Sequence, residues 1–159
     1  MFLYSLLALA VVTALIFAAP LKAKVWATLA VVAAGALWAS ATAVGVLAGG
    51  HTVRLWATDV FLFGSDAGSM DPLSALFALI VSVGAVAAVL YSRGYLAHYL
   101  GRKSPTHISL HYTALATMFY AMLGVVTSEG GFSFLFFWEL MTVASFLLIL
   151  FDAERREVR

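Results

Sequence analysis

Five long apolar stretches, separated by short polar segments, dominate the pattern of hydrophobic and polar positions along this sequence. A helix needs about 20 mostly apolar residues to cross the hydrocarbon core of a bilayer. We therefore predict an all-α, polytopic membrane protein that folds as a single bundle of five transmembrane helices. The first stretch lacks a preceding positive charge and exceeds the apolar core of a signal peptide, so we interpret it as a retained span. The predicted spans cover residues 2–19, 25–48, 72–92, 110–127 and 131–151.

The third span carries two local signals. Asp71 followed by Pro72 is typical of a helix start, with the aspartate as N-cap and the proline at the first helical position. Small residues then recur along one face of the helix, which predicts close packing against a neighbouring helix. These residues are Ala78, Ser82, Ala85 and Ser92.

The polar segment between spans two and three, residues 51–68, has a different pattern. Its side chains alternate imperfectly with a period of two, Val53 and Leu55 on one side and Arg54 and Trp56 on the other. Such a period favours a short strand or hairpin lying over the outer face of the bundle. An irregular interfacial loop anchored by Trp56 explains the same residues equally well.

The composition supports a membrane protein and excludes several functional classes. Of the 159 residues, 64% are hydrophobic and 11% are charged, whereas a soluble domain carries about 25% charged residues. The absence of cysteine excludes thiolate-ligated iron–sulfur clusters, cysteine-based zinc sites and disulfides within this chain. The net charge of +1 offers no broad basic surface for nucleic acid. We expect no cofactor and no metal in this chain, so any electron transfer belongs to another subunit.

Lysine and arginine are distributed asymmetrically about the predicted spans. Eight of the nine fall in the loops after spans one and three or in the C-terminal tail, and Arg54 falls on the opposite side. Because cytoplasmic loops collect lysine and arginine, we predict that the N-terminus is outside and the C-terminus is cytoplasmic. The eight residues are Lys22, Lys24, Arg93, Arg102, Lys103, Arg155, Arg156 and Arg159.

One acidic residue, Glu139, lies deep inside a predicted span. The other acidic residues fall in loops or at span ends, whereas Glu139 follows eight residues of span five and precedes twelve more. At 1.5 Å per residue it lies about 12 Å below the outer end of its helix. A charge at that depth costs about 3 kcal/mol on insertion scales. None of the five spans holds a lysine or arginine that would offset it.

Two interpretations of Glu139 follow from its position. In the first, the acid is part of a proton relay. Desolvation favours the neutral form of a carboxyl, whereas a nearby cation favours the charged form. A neighbour's charge can therefore govern proton uptake and release, as a relay requires. Trp138, Thr142 and Ser145 lie beside the acid and could line a cavity, hydrogen-bond it or hold water. His111, at the inner membrane border, could pass protons at neutral pH. The alternative is a neutral glutamic acid that bonds a neighbouring helix and serves packing alone.

Two stretches of the sequence carry a resemblance to a known family. The first is MDPLSALF at 70–77, which continues to VLYSRGY at 89–95. The second is AMLGVV at 121–126, followed by FFWELMT at 136–142 and SFLL at 145–148. With these motifs the chain resembles the antiporter-like membrane subunits of respiratory complex I, of Mrp-type sodium/proton antiporters, and of energy-converting hydrogenases and formate hydrogenlyase. The preceding residues match only as two apolar spans and a loop.

The resemblance implies a proton-translocating helix bundle within a larger redox-driven or antiport complex in the cell membrane of a prokaryote. The family's glutamate on the fifth helix falls on Glu139. In the family it pairs with a lysine on a later helix and helps to move protons along a hydrated axis in mid-membrane. The implied partners are therefore other membrane subunits, among them a chain that supplies the later helices and the lysine, and a soluble redox module in the redox-driven complexes.

We expect the chain to be a split or shortened antiporter-like subunit in which Glu139 exchanges a proton. It would then be a non-redox, ion-translocating part of a larger oxidoreductase or of a cation/proton antiporter. The competing hypothesis is a non-conducting structural or assembly subunit of the same kind of complex. An intramembrane enzyme is disfavoured, because the sequence contains no nucleophile–base pair, metal cluster or cofactor motif.

Overall fold

The computed structural model describes residues 11–21, 23–60, 64–97, 99 and 103–151. Four of its helices are long and apolar enough to cross a membrane, which confirms an all-α, polytopic membrane protein. Part of the first predicted span lies outside the described residues, and its helical residues 11–18 are called α1. The other elements are α2 (Lys24–Gly49), β1 (Val53–Val60), β2 (Gly64–Met70), α3 (Pro72–Ala97), α4 (Pro105–Thr127) and α5 (Gly131–Leu150).

Two helices extend beyond the apolar stretches from which the spans were predicted. α3 continues past Arg93 to Ala97, and α4 begins at Pro105 instead of residue 110. The backbone hydrogen bonds of a helix do not require apolar side chains, so a helix can continue where the chain leaves the lipid. Ser104 fixes the earlier start of α4, because its hydroxyl accepts a hydrogen bond from the His107 N–H and a proline follows it.

Asp71 caps α3, as its sequence position predicts. Its carboxylate accepts a 2.6 Å hydrogen bond from the Ser74 N–H, and this bond holds the pKa of Asp71 below its ordinary value of 3.8. A carboxyl whose pKa is lowered on folding contributes stability that is present above its unfolded pKa and is lost as the pH falls through the folded pKa.

We predict that Asp71→Ala lowers the free energy of unfolding by about 1 kcal/mol near neutral pH, the usual contribution of an N-cap. The difference between variant and wild type should begin to shrink as the pH falls below about 4 and should vanish once the pH is below the lowered pKa of Asp71 in the folded protein. Thermal unfolding of the two proteins in detergent, measured across this pH range, checks both statements. A difference that persists at acid pH would contradict the capping role of the carboxylate.

The segment between α2 and α3 is a β-hairpin, so the strand prediction is confirmed over the irregular loop. β1 and β2 pair antiparallel, with Val53 opposite Met70 and Val60 opposite Gly64, and the register shifts between Arg54 and Trp56. At Gly68 the Trp56 indole occupies the space that a Cβ would need. β2 contacts α2, α3, α4 and α5, so the hairpin lies across one end of the bundle.

Small residues allow the helices to pack closely. The Gly35 Cα lies under the Tyr120 ring, and the Tyr120 hydroxyl donates a 2.8 Å hydrogen bond to the Val31 carbonyl, which joins α4 to α2. Gly124 of α4 lies against the Phe137 ring of α5, with no room for a Cβ. The predicted stripe on α3 is also confirmed as a packing surface, because Ala78, Ser82 and Ser92 are buried and Ala85 is half-buried.

The two ends of the bundle differ in charge. Lys24, Arg93 and Lys103 lie at one end, here called the basic end, where α2 and α4 begin and α3 and α5 finish. Arg54 lies in the hairpin at the opposite end, here called the hairpin end. This separation of Arg54 from the other described basic residues agrees with the alternating direction of the helices. The orientation of the bundle in the membrane remains a prediction.

Candidate functional site

The candidate site lies on α5, which is the least covered of the four described helices that are long enough to span a membrane. Only Ser133 and Ala144 of its residues are buried, and the helix packs mainly on α4 through contacts such as Gly124 against Phe137. The remaining surface of α5 is apolar and open. It carries exposed Leu135, Trp138, Val143, Phe146 and Ile149.

Glu139 lies on this open surface and not inside the five-helix bundle. Its side chain is exposed, and the neighbouring Trp138 indole is 50% exposed and stacks edge-on to the Phe134 ring at 5.3 Å. No lysine or arginine among the described residues forms an ion pair with the Glu139 carboxyl. Among the residues that the structure describes, the acid therefore lacks the compensating charge that its depth in α5 calls for.

Thr142 and Ser145 lie on the same helix but are hydrogen-bonded to its backbone. The Thr142 hydroxyl donates to the Trp138 carbonyl at 3.1 Å, and the Ser145 hydroxyl donates to the Thr142 carbonyl at 3.1 Å. Each hydroxyl oxygen can still accept a hydrogen bond from water or from a protonated carboxyl. Thr142, one turn after Glu139, is exposed on the same open surface.

His111 lies in a different part of the bundle. Its ring is 4.7 Å from the ring of Phe151 and 6.3 Å from that of Tyr95, among aromatic residues at the basic end, and its Nδ1 is buried without a hydrogen-bond partner. Phe151 follows Glu139 by twelve residues, which corresponds to about 18 Å along a helix axis. The fold therefore does not bring His111 to the carboxyl of Glu139.

The Asp66 carboxylate, in the hairpin, caps the beginning of α5. Its position in the sequence indicates only an acid in a loop, so this role was missed. Its buried carboxylate accepts hydrogen bonds from the Ser133 N–H at 2.9 Å, from the Ser133 hydroxyl at 3.0 Å and from the Ala67 N–H at 3.0 Å. α5 begins after Gly130, which has no side chain to cap the helix. The first N–H groups of a helix need external acceptors, and a negative charge there also interacts favourably with the helix dipole.

The same region connects the hairpin to the turn between α4 and α5. The Glu129 N–H donates a 2.9 Å hydrogen bond to the Ala67 carbonyl, and Gly68 pairs with Ser128 in an isolated bridge. A Cβ at Gly130 would overlap the Asp66 carboxylate. The hairpin thus fixes the position at which the Glu139 helix enters the bundle.

Metal ligands are not gathered in the part of the chain that the structure describes, where no three histidine, aspartate or glutamate residues lie close enough to hold an ion. Three acidic residues lie in the hairpin and the α4–α5 turn. They line an open pocket of about 500 Å³ at the hairpin end together with Arg54; these acids are Asp59, Asp66 and Glu129.

Comparison with known proteins connects the chain to antiporter subunits. A putative antiporter subunit of Staphylococcus saprophyticus is 35% identical over 82 residues, which is 52% of this chain and 10% of that protein. The Na(+)/H(+) antiporter subunit A1 of Staphylococcus aureus is 39% identical over 87 residues, 55% of this chain and 10% of that protein. The matched stretch therefore spans about a tenth of the length of these relatives. No family model matches the chain.

These similarities confirm the resemblance to antiporter-like membrane subunits that the sequence motifs indicate. Taken with the four apolar helices, they identify the chain as a multi-pass protein of the cell membrane.

Proposed function

We propose that the chain is a subunit of a multisubunit cation/proton antiporter, in which Glu139 exchanges protons in mid-membrane. The similarity to antiporter subunits supports the class of complex. The observation that supports the role of Glu139 is its position, because it is the ninth residue of an apolar helix and lies on the surface that the described residues leave open.

The proposed chemistry needs a cation that approaches Glu139 from outside these residues. When the cation is near, the carboxylate is stabilised and its proton leaves to water; when the cation withdraws, desolvation favours the neutral acid and a proton is taken up. A lysine or arginine on a neighbouring helix fits this requirement, because such side chains pair with acids inside membranes. The helix that supplies it would lie against the open surface of α5, whether it comes from a second chain or from the same polypeptide.

Thr142 supports this step as a hydrogen-bond acceptor for the neutral acid or for a water molecule beside it, because its hydroxyl hydrogen is already directed to the Trp138 carbonyl. Trp138 would form one wall of the space between α5 and the incoming helix. His111 would act separately, at the basic end, because it lies beside Phe151 and far from Glu139.

The second candidate function is a structural one, in which the five helices hold neighbouring subunits and Glu139 is a neutral hydrogen-bonding group. The observation that favours it is the same open surface, because a helix of a neighbouring subunit packed there would give the neutral carboxyl a hydrogen-bond partner whether or not protons move.

Cation/proton exchange in everted membrane vesicles tests the proposed function. Vesicles from cells that produce the complex should lose a preformed pH gradient on addition of sodium or potassium salts, and vesicles that lack this chain should not. A vesicle preparation in which removal of the chain leaves the exchange unchanged would contradict the proposal. A pH gradient that responds to an electron donor and not to added cations would assign the chain to a redox-driven complex instead.

A further inference from the structure

A crevice at the basic end of the bundle is distinct from the Glu139 site. It lies among α2, α3 and α4, has a volume of about 400 Å³, and is lined mainly by apolar side chains that include Leu21, Val25, Leu90 and Ile108. Pockets that hold small molecules in proteins have volumes of about 300–1,000 Å³, so this crevice is large enough for a ligand.

One cationic side chain lies at this crevice. The Arg93 guanidinium carbon is 5.3 Å from the centroid of the Trp26 ring, a cation–π contact that joins α3 to α2. Both side chains are exposed, Trp26 by 53%. Tryptophan and arginine with apolar walls beneath them form the combination of groups found where a protein meets the headgroup region of a bilayer.

Arg93 differs from the other described basic residues at this end. Lys24 is buried and donates to the carbonyls of Ile16 and Phe17 at 2.9 and 3.0 Å, where it caps the end of α1. Lys103 donates to the Phe151 carbonyl and lies 4.6 Å from the Phe151 ring. The Arg93 guanidinium has no carboxylate or carbonyl partner among the described residues, so its planar set of N–H donors is available to a ligand.

We propose that this crevice binds an anionic phospholipid, with the phosphodiester on Arg93 and an acyl chain along the apolar wall. Arginine binds phosphate oxygens through paired N–H donors, and stacking on Trp26 holds the guanidinium in place for such a bond. A transmembrane helix is about 10–12 Å across with its side chains, so it could cover this crevice but could not enter it. An acyl chain is narrow enough to enter.

Native mass spectrometry of the intact complex, purified in mild detergent, tests this inference without any measurement of transport. Phosphatidylglycerol and phosphatidylcholine are titrated separately, because they share acyl chains and differ in net charge. We expect tighter binding of phosphatidylglycerol, and Arg93→Gln should weaken it by about fivefold, the effect of one basic residue on an anionic lipid. Arg93→Lys keeps the charge but loses the paired donors. It should bind phosphatidylglycerol more weakly than wild type and more tightly than Arg93→Gln.

The matched control is Arg54→Gln, which removes an exposed arginine at the hairpin end and should leave phosphatidylglycerol binding unchanged. Equal binding of the two lipids by the wild-type complex would overturn the inference, and this comparison does not depend on any variant. Unchanged phosphatidylglycerol binding in Arg93→Gln, or an equal loss in Arg54→Gln, would also overturn it. Because the readout is lipid binding, failure here leaves the proposed antiporter function untouched.

Discussion

Replacement of Glu139 by glutamine is expected to reduce cation/proton exchange to the background of vesicles that lack the complex. Glutamine keeps the size and the hydrogen-bonding capacity of the protonated acid but cannot release a proton. Because the side chain lies on an open surface and contacts no basic residue in the part of the chain that the structure describes, its replacement should not disturb the helix bundle. The amount of assembled complex, measured by co-purification of the other subunits, should therefore equal that of wild type.

Glu129→Gln is the matched control for this experiment. Glu129 is an exposed acid that immediately precedes α5, and the same chemical change there should leave exchange unaltered. Glu139→Asp supplies a second comparison, because it keeps a titratable group but withdraws it by one methylene, and partial activity is expected. Normal exchange by the glutamine variant would remove the proton-transfer role and favour the structural alternative.

Replacement of Asp66 by alanine is expected to lower the free energy of unfolding by about 3 kcal/mol, the cost of leaving buried hydrogen-bond donors without a charged acceptor. The carboxylate is 5% exposed and accepts three hydrogen bonds, two of them from Ser133 of α5. Since whole domains unfold with about 5–15 kcal/mol, this loss should be evident as a lower midpoint in thermal or denaturant unfolding of the detergent-solubilised protein.

Asp59→Ala serves as the control, because Asp59 is an exposed acid on the same hairpin and surface substitutions of this kind stay within about 0.5 kcal/mol. Gly130→Ala disturbs the same contact between the hairpin and α5, because the added Cβ would displace the Asp66 carboxylate. We expect it to destabilise the protein in the same direction. Wild-type stability in Asp66→Ala would show that water replaces the carboxylate without cost and that the hairpin does not hold α5.

Much of the architecture can be predicted from local pattern. Apolar length identifies α2 to α5, the Asp71-Pro72 pair fixes the start of α3, and period-two alternation indicates the hairpin. These features depend on a few neighbouring residues and on the thickness of a bilayer, which varies little from one membrane to another. The end of α3 and the beginning of α4 are predicted less well, because a helix that emerges from lipid no longer needs apolar side chains.

The orientation of the site could not be predicted in the same way. α5 is apolar on nearly all sides, so its sequence does not indicate which face meets α4 and which face carries Glu139 outward. The capping of α5 by Asp66 was also beyond a local pattern, because the two residues that meet, Asp66 and Ser133, are far apart in the chain. The one available signal for this cap was the Gly130-Gly131 pair at the start of α5, which offers no polar side chain of its own to cap the helix.

The open face of α5 has a consequence for the biosynthesis of the complex. A newly inserted copy that has not met its neighbour presents Glu139 to lipid tails, at a cost of about 3 kcal/mol if the acid is charged. Pairing with the cation that we propose on a neighbouring helix would remove that penalty, so a copy inserted alone would be less stable in the bilayer than an assembled one.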